Sequence, residues 1–211
     1  MLNGVYKLII SKEEFKNNYD IFRDKIEKHY TGFVNLDEER YFDEFMFCLL
    51  TPQSNAQRCW EAVKELRNIK GEINEQKVVE ILKTKTRFHN TKAKRIVMAE
   101  KGWEEVKEII KEKTGKELRD ELAKQVNGYG LKEASHFTRN IGLSKGEVAI
   151  LDRHILRNLK EIGIIEEEKI KGKSDYLRIE KIFIDFSKEV GIDLDHLDLY
   201  FWSKENGELF K

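Results

Sequence analysis

Residues 125–142 read QVNGYGLKEASHFTRNIG. The stretch joins two runs with helical apolar spacing, KELRDELAKQV at 116–126 and KEASHFTRNIG at 132–142. Between them, Gly128 and Gly130 permit a tight turn at backbone angles closed to most residues. The predicted unit is a helix, a glycine hairpin and a helix. Backbone N–H groups exposed at such a turn can hold a phosphate, a DNA contact that fixes position without reading sequence. A Gly-x-Gly turn also serves many helical hairpins for geometric reasons alone. Lys132 is the odd residue, because a cation in the first turn of a helix opposes the positive end of the helix dipole. Either the position is solvated and harmless, or the unfavourable charge is useful.

Outward from the hairpin, helix-period patterns dominate, and Pro52 is the only proline. The chain reads as all-α, with helices over about 12–29, 37–50, 54–68, 74–83, 91–112, 116–126, 132–141, 152–161, 174–190 and 193–205. Phe42, Phe45, Met46 and Leu49 form a one-sided core stripe in the second of these, and Ala93, Ile96 and Val97 form another in the fifth. Ser11, Asp37, Ser54 and Ser174 are the expected N-caps, with Glu14 at capping-box distance from Ser11. One short strand is allowed at 4–10, GVYKLII. No internal repeat, low-complexity tract or Pro/Ser-rich linker divides the chain.

At 211 residues the chain can bury a core without covalent staples, and its two cysteines, Cys48 and Cys59, sit in apolar or aromatic company as reduced, packed residues. No apolar run has membrane-spanning length and the N-terminus lacks a signal-peptide pattern, so a cytoplasmic protein with no membrane partner is expected. Lys+Arg and Asp+Glu are 39 each, so binding to a polyanion needs a local patch. KTKTRFHNTKAKR at 83–95 supplies six cations, including Arg87, Lys92 and Lys94, with no acid among them. A solvated helix face would look the same; Phe88 and His89 within the run favour stacking on bases.

A second element with chemistry is AILDRHILRNL at 149–159, where Asp152 follows three apolar residues and opens an amphipathic helix. Aspartate is a good N-cap, and a cap carboxylate is also held ionised and fixed in direction. Lys132 and Asp152 together then make chemical sense. An amine whose charged form is disfavoured by a helix N-terminus and partial desolvation can act as a nucleophile near neutral pH. His136 and His154 complete no metal-ligand spacing, so a metal site is not expected.

With these elements in hand, the chain resembles the helix-hairpin-helix DNA glycosylase superfamily, most closely its second, mainly archaeal family of 8-oxoguanine DNA glycosylase/AP lyases. The resemblance spans about residues 37–211. It rests on RFHNTKAKRI, KEASHFTRNIG, AILDRHIL and the C-terminal LDLYFWSKENGELFK, in that family's order and at nearly the same positions. It implies a single glycosylase unit over 1–211 with two helical subdomains flanking a cleft. One is a central bundle at 37–150 containing the hairpin at 117–141; the other combines 1–36 with 151–211.

The resemblance also implies roles. Lys132 matches the lysine that attacks C1′ and forms a Schiff base, and Asp152 the aspartate that supports base departure and proton transfers. Phe88 and Trp202 match aromatics that sandwich the extruded base, and Lys211 a terminal residue at the base pocket. DNA contacts are expected from Gln53, Arg87, Lys92, Lys94, Gly128, Gly130 and Arg153. Superfamily members hold a monovalent cation at the hairpin through backbone carbonyls, which makes it a candidate ion site; no other cofactor is implied. The expected partner is double-stranded DNA containing 8-oxoguanine, bound by a nucleoid-associated monomer.

The chain departs from the pattern in two places. LLTPQSNAQ stands where the family generally has Leu-Thr-Ala-Asn, and TPQS is closer to the element of other branches whose glutamine fills the gap left in the duplex; Gln53 is assigned that task. The loop between TRNIG and LDRHI is about two residues longer than the family's. Endonuclease III-like enzymes usually carry a four-cysteine iron-sulfur cluster, which two cysteines in the first 60 residues cannot supply. The alternatives that stay open are a glycosylase for another damaged base and a noncatalytic DNA-binding module, which would leave Lys132 and Asp152 without a purpose.

Overall fold

The computed structural model describes residues 8–207 together with 209 and 210. The segment read as a short strand lies mostly outside the described residues, as does Lys211. All secondary structure among the described residues is helical. The chain opens with α1 (Lys12–Asp20) and α2 (Arg23–Val34). A 3-10 turn at Glu38–Arg40 leads into α3 (Tyr41–Leu50), followed by α4 (Ala56–Arg67), α5 (Glu75–Leu82), α6 (His89–Lys101) and α7 (Trp103–Glu112). Then come α8 (Gly115–Gln125), α9 (Leu131–Asn140), α10 (Arg153–Glu161), α11 (Lys173–Val190) and α12 (Leu194–Asn206).

Two expected helices are each broken in two. The run at 12–29 stops at Ile21, which is 77% exposed, because the next residue, Phe22, turns to pack its ring 5.7 Å from Tyr200. The run at 91–112 breaks at Gly102, whose N–H still bonds Met98 O at 3.0 Å. Trp103 then swings onto Phe42 and Phe45, with ring centroids 4.9 and 5.2 Å away. Ser11 caps α1 as expected, accepting from Glu14 N–H at 3.1 Å, and Asp37 caps the 3-10 turn. Ser54 and Ser174 are not caps. Asn55 performs that task for α4, and α11 begins after Gly172 with Ser174 inside it.

The chain divides into two compact units, Leu36–Leu143 and Met1–Asn35 with Ser144–Lys211. The first is built around α3, which is buried on all sides from Asp43 to Leu50 instead of along the single stripe expected. Its polar residues are satisfied: Glu44 accepts from Asn140 Nδ2 at 2.8 Å, and Asp43 accepts from Arg40 at 2.6 Å and Arg67 at 3.4 Å. α4, α6 and α9 surround α3. In the second unit, Phe15 of α1 meets Phe186, Tyr200 and Phe201 edge-on at 5.2–6.0 Å.

Residues 144–150 group with the second unit rather than with the central bundle, and their bonds give the reason. Ser144 Oγ donates to Asp195, which also accepts from Tyr30 Oη at 3.0 Å. Ala149 N–H donates to the buried Glu180 at 2.9 Å, and Tyr176 Oη donates to Ala149 O at 2.6 Å.

Candidate active site

The hairpin is anchored by its tyrosine. Tyr129 is 6% exposed, donates to Phe45 O at 3.0 Å and lies 4.8 Å from the Phe45 ring. Its N–H closes the turn onto Val126 O at 3.1 Å. The two flanking glycines turn out to differ. Gly128 takes φ +101°, and a Cβ there would lie 2.5 Å from Cδ of Arg95, whose side chain crosses the turn. Gly130 is extended, at φ −99° and ψ −173°, and what its missing Cβ makes room for is the Glu133 carboxylate, 3.1 Å from where a Cβ would lie.

Glu133 is the neighbour that sequence reasoning passed over. One of its oxygens accepts from Gly130 N–H at 3.1 Å, and the other pairs with Lys132 Nζ at 3.0 Å. The capping-box spacing was visible, but a glycine N-cap has no side chain to reciprocate, so only half of that motif exists. Lys132 occupies the second position of α9 and its side chain is 26% exposed, so the amine is reachable and held by an adjacent carboxylate. One turn further along α9, the His136 ring lies edge-on to Phe47 of α3 at 5.6 Å. The next residue of α3, Cys48, has a fully buried thiol that burial pushes well up, and the Lys132 charge acts against that rise.

In the same unit, Gln53 and Phe88 are both exposed and both stand on left-handed backbone, at φ 55° and φ 57°. Such conformations cost on the order of 1–3 kcal/mol and persist only where surrounding bonds impose them. Phe88 is 55% exposed, with the Arg87 guanidinium 5.6 Å from its ring centroid. Arg87 and Lys94 are exposed.

The basic run is less uniform than its sequence. Lys83 pairs with Glu80, and Lys85 pairs with Glu65 at 3.1 Å, so acids from outside the run offset two of its cations. Lys92, expected to contact DNA, is 2% exposed. Its amine donates to Leu50 O at 2.7 Å, Pro52 O at 2.9 Å and Ser54 Oγ at 2.8 Å. It is a buried structural cation, and a phosphate cannot reach it.

In the second unit, Asp152 caps α10 through Oδ1, which accepts from His154 N–H at 2.8 Å and Ile155 N–H at 2.9 Å. Both bonds fall on one oxygen, which leaves Oδ2 with no hydrogen bond among the described residues. The preceding Val148–Leu151 segment is buried at 1–6% exposure, and its bonds to Glu180 and Tyr176 fix where the cap residue stands. Arg153 is exposed and donates to His154 Nε2 at 3.2 Å. Trp202 on α12 is partly exposed, with the Phe210 ring 6.2 Å away. Lys211, expected at the base pocket, lies outside the described residues. Among the described residues no group of three or more His, Cys, Asp or Glu could hold a metal ion.

The family model for 8-oxoguanine DNA glycosylase matches residues 23–192 of this chain. The chain belongs to that family. The 8-oxoguanine DNA glycosylase/AP lyase of Methanocaldococcus jannaschii is 36% identical over 209 residues, covering 97% of this chain and 99% of that one. A crystal structure of the M. jannaschii protein in complex with 15mer DNA containing 8-oxoguanine superposes with a TM-score of 0.80 at 32% identity, over 92% of this chain and 98% of that one. The structure of the 8-oxoguanine DNA glycosylase of Thermotoga maritima gives a TM-score of 0.82 at 31% identity, over 95% of this chain and all of that one. The all-α helix-hairpin-helix fold expected from the 125–142 stretch is therefore the fold of the family.

Proposed function

We propose that the chain binds duplex DNA containing 8-oxoguanine, extrudes the damaged nucleotide, excises the base through an imine on Lys132 and cuts the strand 3′ to the lesion. What carries the reading is the partly exposed amine of Lys132, on the helix that follows the hairpin, in a chain whose fold matches a relative crystallised on such DNA.

Duplex stacking hides C1′, so the nucleotide must leave the stack at a cost of a few kcal/mol, which pocket stacking and hydrogen bonds offset. Lys132 Nζ then attacks C1′, the bond from C1′ to N9 breaks, and the base departs with a proton. Opening of the sugar ring leaves an imine between Nζ and C1′. The imine acidifies the C2′ proton, and its removal expels the 3′ phosphate by β-elimination. Asp152 supports base departure and the proton transfers, a role its unbonded Oδ2 suits. Phe88 and Trp202 flank the base, Lys211 stands at its pocket, and Gln53 fills the gap in the duplex. Arg87, Lys94, Arg153 and the backbone at Gly128 and Gly130 hold phosphates; Lys92 leaves that set because it is buried.

The two units correspond, on this reading, to the central bundle carrying Lys132 and a second subdomain carrying Asp152. The hairpin is the place for a monovalent cation, supported only by its turn geometry and the resemblance. A nucleoid-associated monomer is the assembly proposed. The test is excision from a duplex carrying one 8-oxoguanine. Lys132→Gln should abolish base release and strand cleavage while leaving duplex affinity nearly unchanged. Base release by this variant at the parental rate would remove Lys132 from the chemistry.

A further inference from the structure

Among the described residues Lys92 is the one buried lysine, and the three bonds of its amine converge on a single place. Leu50 O is one of the last carbonyls of α3, which the helix itself leaves without partners, and a cation there also meets the negative end of the helix dipole. Pro52 O and Ser54 Oγ bracket Gln53, so the ammonium holds the loop on both sides of that left-handed residue. Ser54 Oγ in turn accepts from Arg87 N–H at 2.9 Å, the residue immediately before left-handed Phe88. Phe88 O then accepts from the Lys92 N–H at 3.0 Å, which returns the connection to the same lysine. One buried amine thus ties together two exposed side chains that come from loops 35 positions apart in sequence.

We propose that Lys92 is the positioning residue for the DNA-reading edge of this unit, fixing Gln53 and Phe88 relative to each other so that gap filling and capture of the extruded base occur as one step. The inference rests on the roles given to Gln53 and Phe88 in the preceding section. An ammonium has three N–H groups, and here it meets three acceptors. Loss of the proton removes a donor and loosens the loop. The charged and titratable groups acting on it are Cys59 of α4, Arg95 of α6, Lys132 of α9 and Arg87 of the turn. Burial is the largest influence and lowers its pKa to about 8, with Cys59 opposing and the three cations assisting.

The experiment places 2-aminopurine beside 8-oxoguanine in a duplex and follows fluorescence rise and base release in single turnover. Cleavage of a single-stranded abasic oligonucleotide, which has no gap to fill and no base to stack, is the control. Lys92→Met and Ser54→Ala should each slow fluorescence rise and base release about 10- to 100-fold while sparing the abasic cleavage, and the double variant should be no slower than Lys92→Met. The parental fluorescence rate should fall as pH rises through 8, and that limb should vanish in Lys92→Met. Should Lys92→Met fail to fold, Ser54→Ala carries the test, because it cuts the link between the two loops and leaves Lys92 both carbonyls. Parental extrusion rates in Ser54→Ala and in folded Lys92→Met, alongside impaired Gln53→Ala and Phe88→Ala, overturn the inference alone. Parental rates in Gln53→Ala and Phe88→Ala overturn the roles beneath it and the inference with them.

Discussion

On the proposed function Asp152 answers two demands, as a helix cap and in catalysis. Its Oδ1 closes the N-terminus of α10 with two N–H bonds, and asparagine caps about as well as aspartate. Asp152→Asn should therefore melt within a degree or so of the parent, yet lose excision by orders of magnitude, because it keeps the acceptor and loses the charge. A calorimetric scan beside a single-turnover assay separates the two; an equally active variant reduces Asp152 to a cap. The cap was legible in sequence because it depends on local spacing. Lys92 was not, because a lysine in a basic run looks the same whether its amine meets water or three acceptors delivered by a loop 40 residues away. Its pKa, lowered by burial to about 8, makes a stability prediction with a definite sign. Below pH 8 both folded and unfolded chains hold the proton. Above it the folded state releases the proton while the unfolded state keeps it up to about 10.5, so this group makes stability rise with pH by at most ~1.4 kcal/mol per unit. Cys59, raised by burial from 9.0 to about 11, acts in the opposite sense above pH 9. Denaturant midpoints at pH 8 and pH 9 should thus show a smaller gain in Lys92→Met than in the parent; equal gains would mean Lys92 does not titrate there.

Among the elements, the hairpin carries the sharpest contrast. Sequence treats Gly128 and Gly130 alike, and the folded chain does not. At Gly128 a side chain faces both a positive φ and the Arg95 side chain, 2.5 Å from an added Cβ. At Gly130 the backbone is extended and the only close atom is the far end of Glu133. Gly128→Ala should destabilise by about 1–3 kcal/mol, and Gly130→Ala by clearly less. Urea denaturation of the pair decides it; equal losses would mean that the hairpin needs glycine at both positions for one common reason. The hairpin, α8 and α9 were legible because their apolar spacing and glycines are local. The breaks at Ile21 and Gly102 were not, since each is made by a ring, Phe22 or Trp103, turning toward partners far along the chain. The same holds for residues 144–150, which sequence grouped with the central bundle and which Asp195, Glu180 and Tyr176 hold in the other unit.

For the whole molecule, zero net charge means that affinity for DNA depends on a local group of exposed cations, such as Arg87 and Lys94, and not on an overall field. Each phosphate neutralised contributes about −0.9 to the slope of log K against log salt on duplex DNA. Arg87→Ala with Lys94→Ala should flatten that slope by about 2, whereas Lys92→Met should leave it unchanged because its amine is buried. An unchanged slope in the double variant would place the phosphates elsewhere on the protein. The family and its fold were legible from separated local motifs; what sequence lacked was the burial state of each cation, which only packing decides. On the proposed function Lys132 alone forms the covalent intermediate, and its side chain is 26% exposed whereas Lys92 is buried. Borohydride trapping on a duplex with a single 8-oxoguanine, followed by peptide mapping of the reduced adduct, identifies the residue that bonds C1′. One adduct is expected, on Lys132, and none in Lys132→Gln. An adduct on Lys92, or trapping that survives in Lys132→Gln, would contradict it.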